Sequence, residues 1–114
     1  MGPDHSDNAV SHRGLARVLQ AQGEQDAARP LFEHALDIRE RALGPDHPDT
    51  AESLNDLALL LRDQADLAAA RPLFERALAI RERVLGPDHP DTVATRRALE
   101  ELAEEGDGPP AGGG

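Results

Sequence analysis

Three short motifs hold the residues best suited to chemistry: Asp4-His5, Asp46-His47-Pro48-Asp49 and Asp88-His89-Pro90-Asp91. Aspartate and histidine together suggest metal ligation, since imidazole nitrogen and carboxylate oxygen both bind zinc. The spacing argues otherwise. Successive motifs stand 42 residues apart and each offers a single imidazole, whereas a zinc site usually gathers four ligands at about 2.0–2.2 Å. The carboxylates are better explained as helix-start residues. Asp46 is placed to cap a helix, Pro48 suits its first turn, and Asp49 falls near the positive end of the dipole. No metal is therefore expected on His5, His47 or His89. Nucleophilic catalysis has no better support. Ser11 and Ser53 lack a His–Asp partner arrangement, and the glycines form no phosphate-cradling loop. The acidic cluster from Glu100 to Glu105 reads as a solvated face. The expectation is a non-enzyme that uses neither metal nor cofactor.

The elements that carry these motifs repeat. Residues 29–50, RPLFEHALDIRERALGPDHPDT, return at 71–92 as RPLFERALAIRERVLGPDHPDT, identical at 19 of 22 positions. Phe32 and Phe74, the only two aromatic residues, fill the same slot in the two copies. Identity at a fixed period marks a repeat protein. The apolar residues recur at three-and-four spacing, the pattern of amphipathic helices and not of strands. Helices are expected at about 9–21, 26–43, 48–63, 67–85 and 90–105, with Asp4, Ser6 and Asp7 as candidate caps for the first. Gly23, Gly44-Pro45 and Gly86-Pro87 act as stops. Pro30 and Pro72 fall in the second turns of their helices, which implies a bend there or a later start to regular helix. The tail GDGPPAGGG, residues 106–114, reads as a flexible linker.

Composition narrows the function. With 39% hydrophobic but only 2% aromatic residues, the core must be built from Leu, Ala, Ile and Val. The chain has no cysteine, which excludes disulfides and thiolate metal sites. All 12 basic residues are arginine, and the net charge is −10. That charge opposes general affinity for nucleic acid or anionic membranes. No apolar run approaches the roughly 20 residues that span a bilayer. The N-terminus shows neither a basic region nor an apolar signal core, so the expected compartment is the cytoplasm.

Counted from Ala9, Ala51 and Val93, small residues recur at the eighth place (Ala16, Ala58), the twentieth (Ala28, Ala70) and the twenty-seventh (Ala35, Ala77). Large apolar residues recur at the seventh (Leu15, Leu57), the eleventh (Leu19, Leu61) and the twenty-fourth (Phe32, Phe74). Small residues let antiparallel helices approach, and large ones fill the space between layers. This arrangement resembles a tetratricopeptide repeat. The 42-residue period, the LNDLALLLRDQ stretch and the LGPDHPDT linker resemble the kinesin-light-chain type. The resemblance implies an all-α, TPR-like α-solenoid of antiparallel helix pairs. It would hold two repeats, at about 4–45 and 46–87, and a C-terminal capping helix at about 88–105. Two departures stand out: Ala65 occupies a place where the family has glycine, and Glu100 one where a small residue is expected. The second is why the last helix reads as a polar cap, as solenoid ends require.

The resemblance also implies a concave groove lined by the first helix of each pair, with peptide ligands lying along it. It places Arg13, Arg17, Asn55, Leu59, Arg62 and Arg97 there as candidate peptide-binding residues. Arginine suits bidentate carboxylate capture. The function implied is a protein-interaction module for an extended, carboxylate-bearing peptide or a partner protein. The alternative is an architectural or self-associating scaffold without its own ligand, or part of a longer array attached to a signalling ATPase. The face near Val10, Val18 and Leu36 has no polar cap helix over it, so weak homo-oligomerisation through the N-terminal end is expected.

Overall fold

The structure is a computed structural model that describes residues 5–106, with side chains for residues 8–105. Five helices follow in order: α1 (His5–Ala21), α2 (Gln25–Leu43), α3 (Pro48–Asp63), α4 (Leu67–Val84) and α5 (Pro90–Gly106). No strand occurs among the described residues. Short connections make neighbouring helices antiparallel, and each helix packs on the next along the chain. α1 begins at His5, four residues before the expected start. Ser6 and Asp7 therefore lie inside the helix and not at its cap. Asp4 and the tail from residue 107 lie outside the described residues, and Gly106 is the last residue of α5.

The core matches the expected division between small and large residues except at Leu15, which is 53% exposed because no helix among the described residues packs over that side of α1. Ala16, Ala28, Ala58, Ala70 and Ala77 are fully buried, and Ala35 is nearly so. These residues are what permit close helix crossings. Phe32 and Phe74 are buried in one continuous cluster with Leu57, Leu60, Leu61 and Leu102. A second cluster joins Ala51 and Leu54 of α3 to Ala77 and Ile80 of α4 inside the second repeat, with Leu36 of α2 packed against it. Pro30 and Pro72 sit inside continuous helices that begin at Gln25 and Leu67. Regular helix thus starts ahead of both prolines, and their rings stay on the exposed side.

Two turns inside the repeats share one hydrogen-bond pattern. Glu24 N–H donates to Leu19 O and Gly23 N–H to Gln20 O; Asp66 N–H donates to Leu61 O and Ala65 N–H to Arg62 O. This is the paired capping pattern that requires a left-handed residue after the helix. Gly23 provides it at φ 84°, whereas Ala65 is forced to φ 65°. An L-residue in that region costs about 1–2 kcal/mol, part of which glycine gives back through its greater unfolded-state freedom. Ala65→Gly should therefore stabilise the protein by about 0.5–1 kcal/mol. Urea melts check this, and an unchanged or lower midpoint would contradict it.

Candidate functional site

The linkers place the helices through polar contacts that begin at the repeated histidines. His47 is the N-cap of α3, and its Nδ1 accepts from the Asp49 N–H at 3.0 Å. His89 does the same for α5, accepting from Asp91 N–H at 3.1 Å. This corrects the expectation that Asp46 is the cap. Asp46 lies one residue too early and instead pairs with Arg83 on α4 at 3.0 Å. The imidazoles thus have a structural use at the helix starts.

Behind each cap lies a buried arginine. Arg39 is 4% and Arg81 7% exposed. Arg39 Nη1 donates to Asp49 O at 3.0 Å, to Ser53 Oγ at 3.1 Å and to Glu52 Oε1 at 2.9 Å. Arg81 Nη1 donates to the equivalent carbonyl, Asp91 O, at 3.3 Å and to Thr95 Oγ1 at 2.8 Å. Thr50 Oγ1 donates to Gly44 O at 2.8 Å, and Thr92 Oγ1 to Arg81 O at 3.2 Å. The last turn of each repeat is thereby tied to the first turns of the next helix.

These ties reach the face formed by α1, α3 and α5. Arg13 Nε is hydrogen bonded to Asp56 Oδ2, and Arg13 Nη2 lies 3.3 Å from Glu52 Oε2. Since Glu52 also accepts from Arg39, a polar chain runs Asp56–Arg13–Glu52–Arg39 across α1, α2 and α3. On the next level, Thr95 Oγ1 donates to Asn55 Oδ1 at 3.1 Å, and Arg62 Nη1 lies 3.5 Å from Glu101 Oε1. Asp56 is 8% exposed. Burial pushes its carboxyl above the ordinary range; the hydrogen bond and charge of Arg13 offset this only in part, and Glu52 adds to it. Burial pulls the Arg13 guanidinium down, but the hydrogen bond and charge of Asp56, with the charge of Glu52, outweigh it and leave a net rise.

The six sequence-derived candidates therefore differ in what they do. Arg13 is committed to Asp56 and Glu52, Arg62 to Glu101, and Asn55 to Thr95. Leu59 is half-buried against the core. Arg17 and Arg97 are exposed, and neither forms a hydrogen bond or ion pair among the described residues, though the charge of Arg17 reaches Asp56. Sequence reasoning gave no role to Arg39, Arg81, Thr50 and Thr92, because it sought the core among apolar residues alone. A signal was present: all four lie at positions that stay identical between the two copies, while His34/Arg76, Asp37/Ala79 and Ala42/Val84 vary.

A family model described as tetratricopeptide repeat matches residues 7–82 and again 54–108. The chain belongs to the tetratricopeptide-repeat family. Its repeats are of the kinesin-light-chain-like type, as the solved structures show. The nearly identical TPR-like repeats described for a kinesin light chain of Podosopora anserina superpose with a TM-score of 0.81 at 27% identity. That match covers 88% of this chain and 47% of the other. A point variant of the same protein gives 26% identity and the same TM-score of 0.81. BtubC (BKLC) from P. vanneervenii shares the fold, with a TM-score of 0.85 at 20% identity, over 91% of this chain and 41% of that one. The chain thus spans about half the length, or less, of these structures. No curated protein shows significant similarity to the sequence.

Two expectations follow for this tetratricopeptide array. Arg81→Ala removes the donor that satisfies Asp91 O and Thr95, and should cost about 1–3 kcal/mol in chemical denaturation. Arg83→Ala, at an exposed ion pair with Asp46, should cost no more than about 0.5 kcal/mol. Equal effects would remove the buried arginine from its structural role. The second expectation concerns Asp56. Its folded pKa lies above its ordinary 3.8, so the folded chain holds this proton more tightly than the unfolded chain does. Its contribution to stability must then decline as pH rises from that range through the raised value. The melting-temperature difference between wild type and Asp56→Asn should accordingly shift against wild type between about pH 3 and pH 7. A difference that shifts in favour of wild type would reverse the assignment.

Proposed function

We propose that this chain is a protein-interaction module whose α1–α3–α5 face takes an extended segment carrying carboxylates, either acidic side chains or a free C-terminus. Tetratricopeptide repeats generally mediate protein–protein interaction, and that much follows from family membership. The observation that supports the finer reading is the state of Arg17 and Arg97. They stand on the first and last helices of the face, and neither is taken up by an ion pair among the described residues. Between them, Asn55 has Oδ1 occupied by Thr95, so its amide donors are what it can offer a peptide backbone. Leu59 adds a half-buried apolar contact. The face carries Arg13, Arg17, Arg62 and Arg97 against Glu52, Asp56 and Glu101, so it is close to neutral on a molecule of net charge −10. An acidic peptide is therefore repelled least here. The carboxylates Glu52, Asp56 and Glu101 are ion-pair partners of Arg13 and Arg62, and we assign the chain no catalytic step.

The second reading, an architectural unit of a longer array, draws support from the 47% and 41% shares of the solved structures that the chain covers. A fluorescein-labelled acidic octapeptide with a free C-terminus separates the two by fluorescence anisotropy. The module reading expects binding that weakens with added salt. It also expects a loss of about tenfold, or 1.4 kcal/mol, in the Arg17→Ala/Arg97→Ala variant. Both side chains are exposed, so the circular dichroism spectrum should not change. Wild-type affinity and salt dependence in that variant would remove these arginines from recognition, and absence of binding altogether would favour the architectural reading.

A further inference from the structure

Position by position, α1, α3 and α5 expose the same face to very different surroundings. Leu57 and Leu60 on α3 are 6% and 0% exposed, because the preceding repeat covers them. On α5 the counterparts Leu99 and Leu102 are half-buried and fully buried. On α1 the counterparts Leu15 and Val18 are 53% and 52% exposed, and Val10 beside them is 56% exposed. Leu36, expected to share this exposure, is instead half-buried between the two core clusters. The face therefore lies mainly on α1, with Ile38 of α2 beside it, half-buried where its counterpart Ile80 is 3% exposed.

The polar residues of this face point away from a repeat of the same kind as its cover. On α3, Glu52 and Asp56 receive Arg39 and Arg13 from the repeat before. On α1 those two positions are Val10 and Gly14, so the acceptors for such arginines are gone. Gly14 lies in mid-helix, where glycine costs about 1 kcal/mol, yet a Cβ built there would meet nothing within 4 Å. Nothing inside the protomer requires it. Across a helix pair, a glycine allows close backbone approach. Val10 and Val18 stand four residues to either side of it.

We propose that this face binds a second copy of the chain, α1 lying antiparallel on its mate with Gly14 at the two-fold axis. In that register each Val10 meets the mate's Val18. The mate's α1 would run antiparallel to α1, as α2 runs to α3 at the internal repeat interface, and would cover Leu15 and Val18 much as α2 and its neighbours cover Leu57 and Leu60. Head-to-tail stacking is opposed by the other end. The α3 residues Leu54 and Ala58, which are buried in the core, correspond on α5 to Arg96 and Glu100. Arg96 pairs there with Glu82 at 3.3 Å, and Glu100 is exposed. A 17-residue helix is about 25 Å long, and its footprint falls short of the roughly 800 Å² per partner of a standard stable interface. The dimer should therefore be weak and closed at two copies. Val10 and Gly14 are the α1 counterparts of Glu52 and Asp56 on the peptide face, so the dimer would occupy the α1 edge of that face; its test uses the chain alone, and the outcome does not turn on peptide binding.

Sedimentation equilibrium of the full chain from about 10 μM to 1 mM tests this, in the range expected for a small interface. The average mass should rise from 12.2 kDa toward twice that value and stop there. Val18→Glu, at an exposed site, should keep the chain monomeric with an unchanged circular dichroism spectrum. Gly14→Ala provides a readout that a merely structural glycine would not move: it should raise the melting temperature of the protomer while weakening association about tenfold. A strict monomer at 1 mM would overturn the proposal. So would association that survives Val18→Glu or strengthens in Gly14→Ala, or a mass that grows past two copies.

Discussion

The arrangement depends on a guanidinium held in a nearly dry place at each joint between helical pairs. Arg39 and Arg81 sit near the C-terminal ends of α2 and α4, and each reaches across to a backbone carbonyl and a hydroxyl in the first turns of the next helix. A buried charge is costly unless its donors are satisfied, so this contact accepts few orientations of the next helix. The joint is specified in the linker as well. Glycine ends the helix, histidine caps the next one, and the threonine hydroxyl returns to the chain just left. The LGPDHPDT segment therefore works as a hinge set at one angle. The two joints are not identical. Arg39 has Glu52 beside it, while at the second joint the equivalent position is Ala94 and Arg81 relies on neutral acceptors among the described residues.

Around these joints the core is almost featureless, which is what a chain with two aromatics can build. Alanines close the helix crossings, leucines fill the layers, and Phe32 and Phe74 occupy equivalent places in one cluster. Leucine and alanine pack densely but specify angles weakly, since many register shifts bury similar area. The polar joints then carry information that the apolar core does not. Stacking in a repeat protein is a nearest-neighbour interaction, so each joint needs its own specification.

Much of this was legible in the sequence. The period, the helix spacing and the small residues at recurring places led to five helices and a core that the structure matches closely. What was not legible follows from seeking the core among apolar residues alone. It hid Arg39, Arg81, Thr50 and Thr92, which are buried because their partners come from the next helix. The cap was placed on Asp46, since carboxylates are the usual caps; the histidine one residue later has the reach to the N–H that needs an acceptor. The start of α1 was set four residues late because Ser6 and Asp7 resemble caps, whereas the helix begins at His5 and takes both into its first turn. The candidate face was found by resemblance, while the division of labour among its arginines required coordinates.

That division bears on how recognition and stability are related in this fold. Arg13 lies on the face, yet it is the middle of a chain of polar contacts running from Asp56 through Glu52 to Arg39. Asn55 is similarly joined through Thr95 to Arg81. The same buried guanidinium that sets the angle between repeats thus also orients side chains on the face. Changing Arg13 or Asn55 would alter the joint as well as the surface, and a loss of binding there could not be assigned to either. Arg17 and Arg97 lie outside these chains. They give no hydrogen bond to a joint, and only the charge of Arg17 reaches Asp56, so a change in recognition at Arg97 is read as an effect on the surface alone and one at Arg17 nearly so.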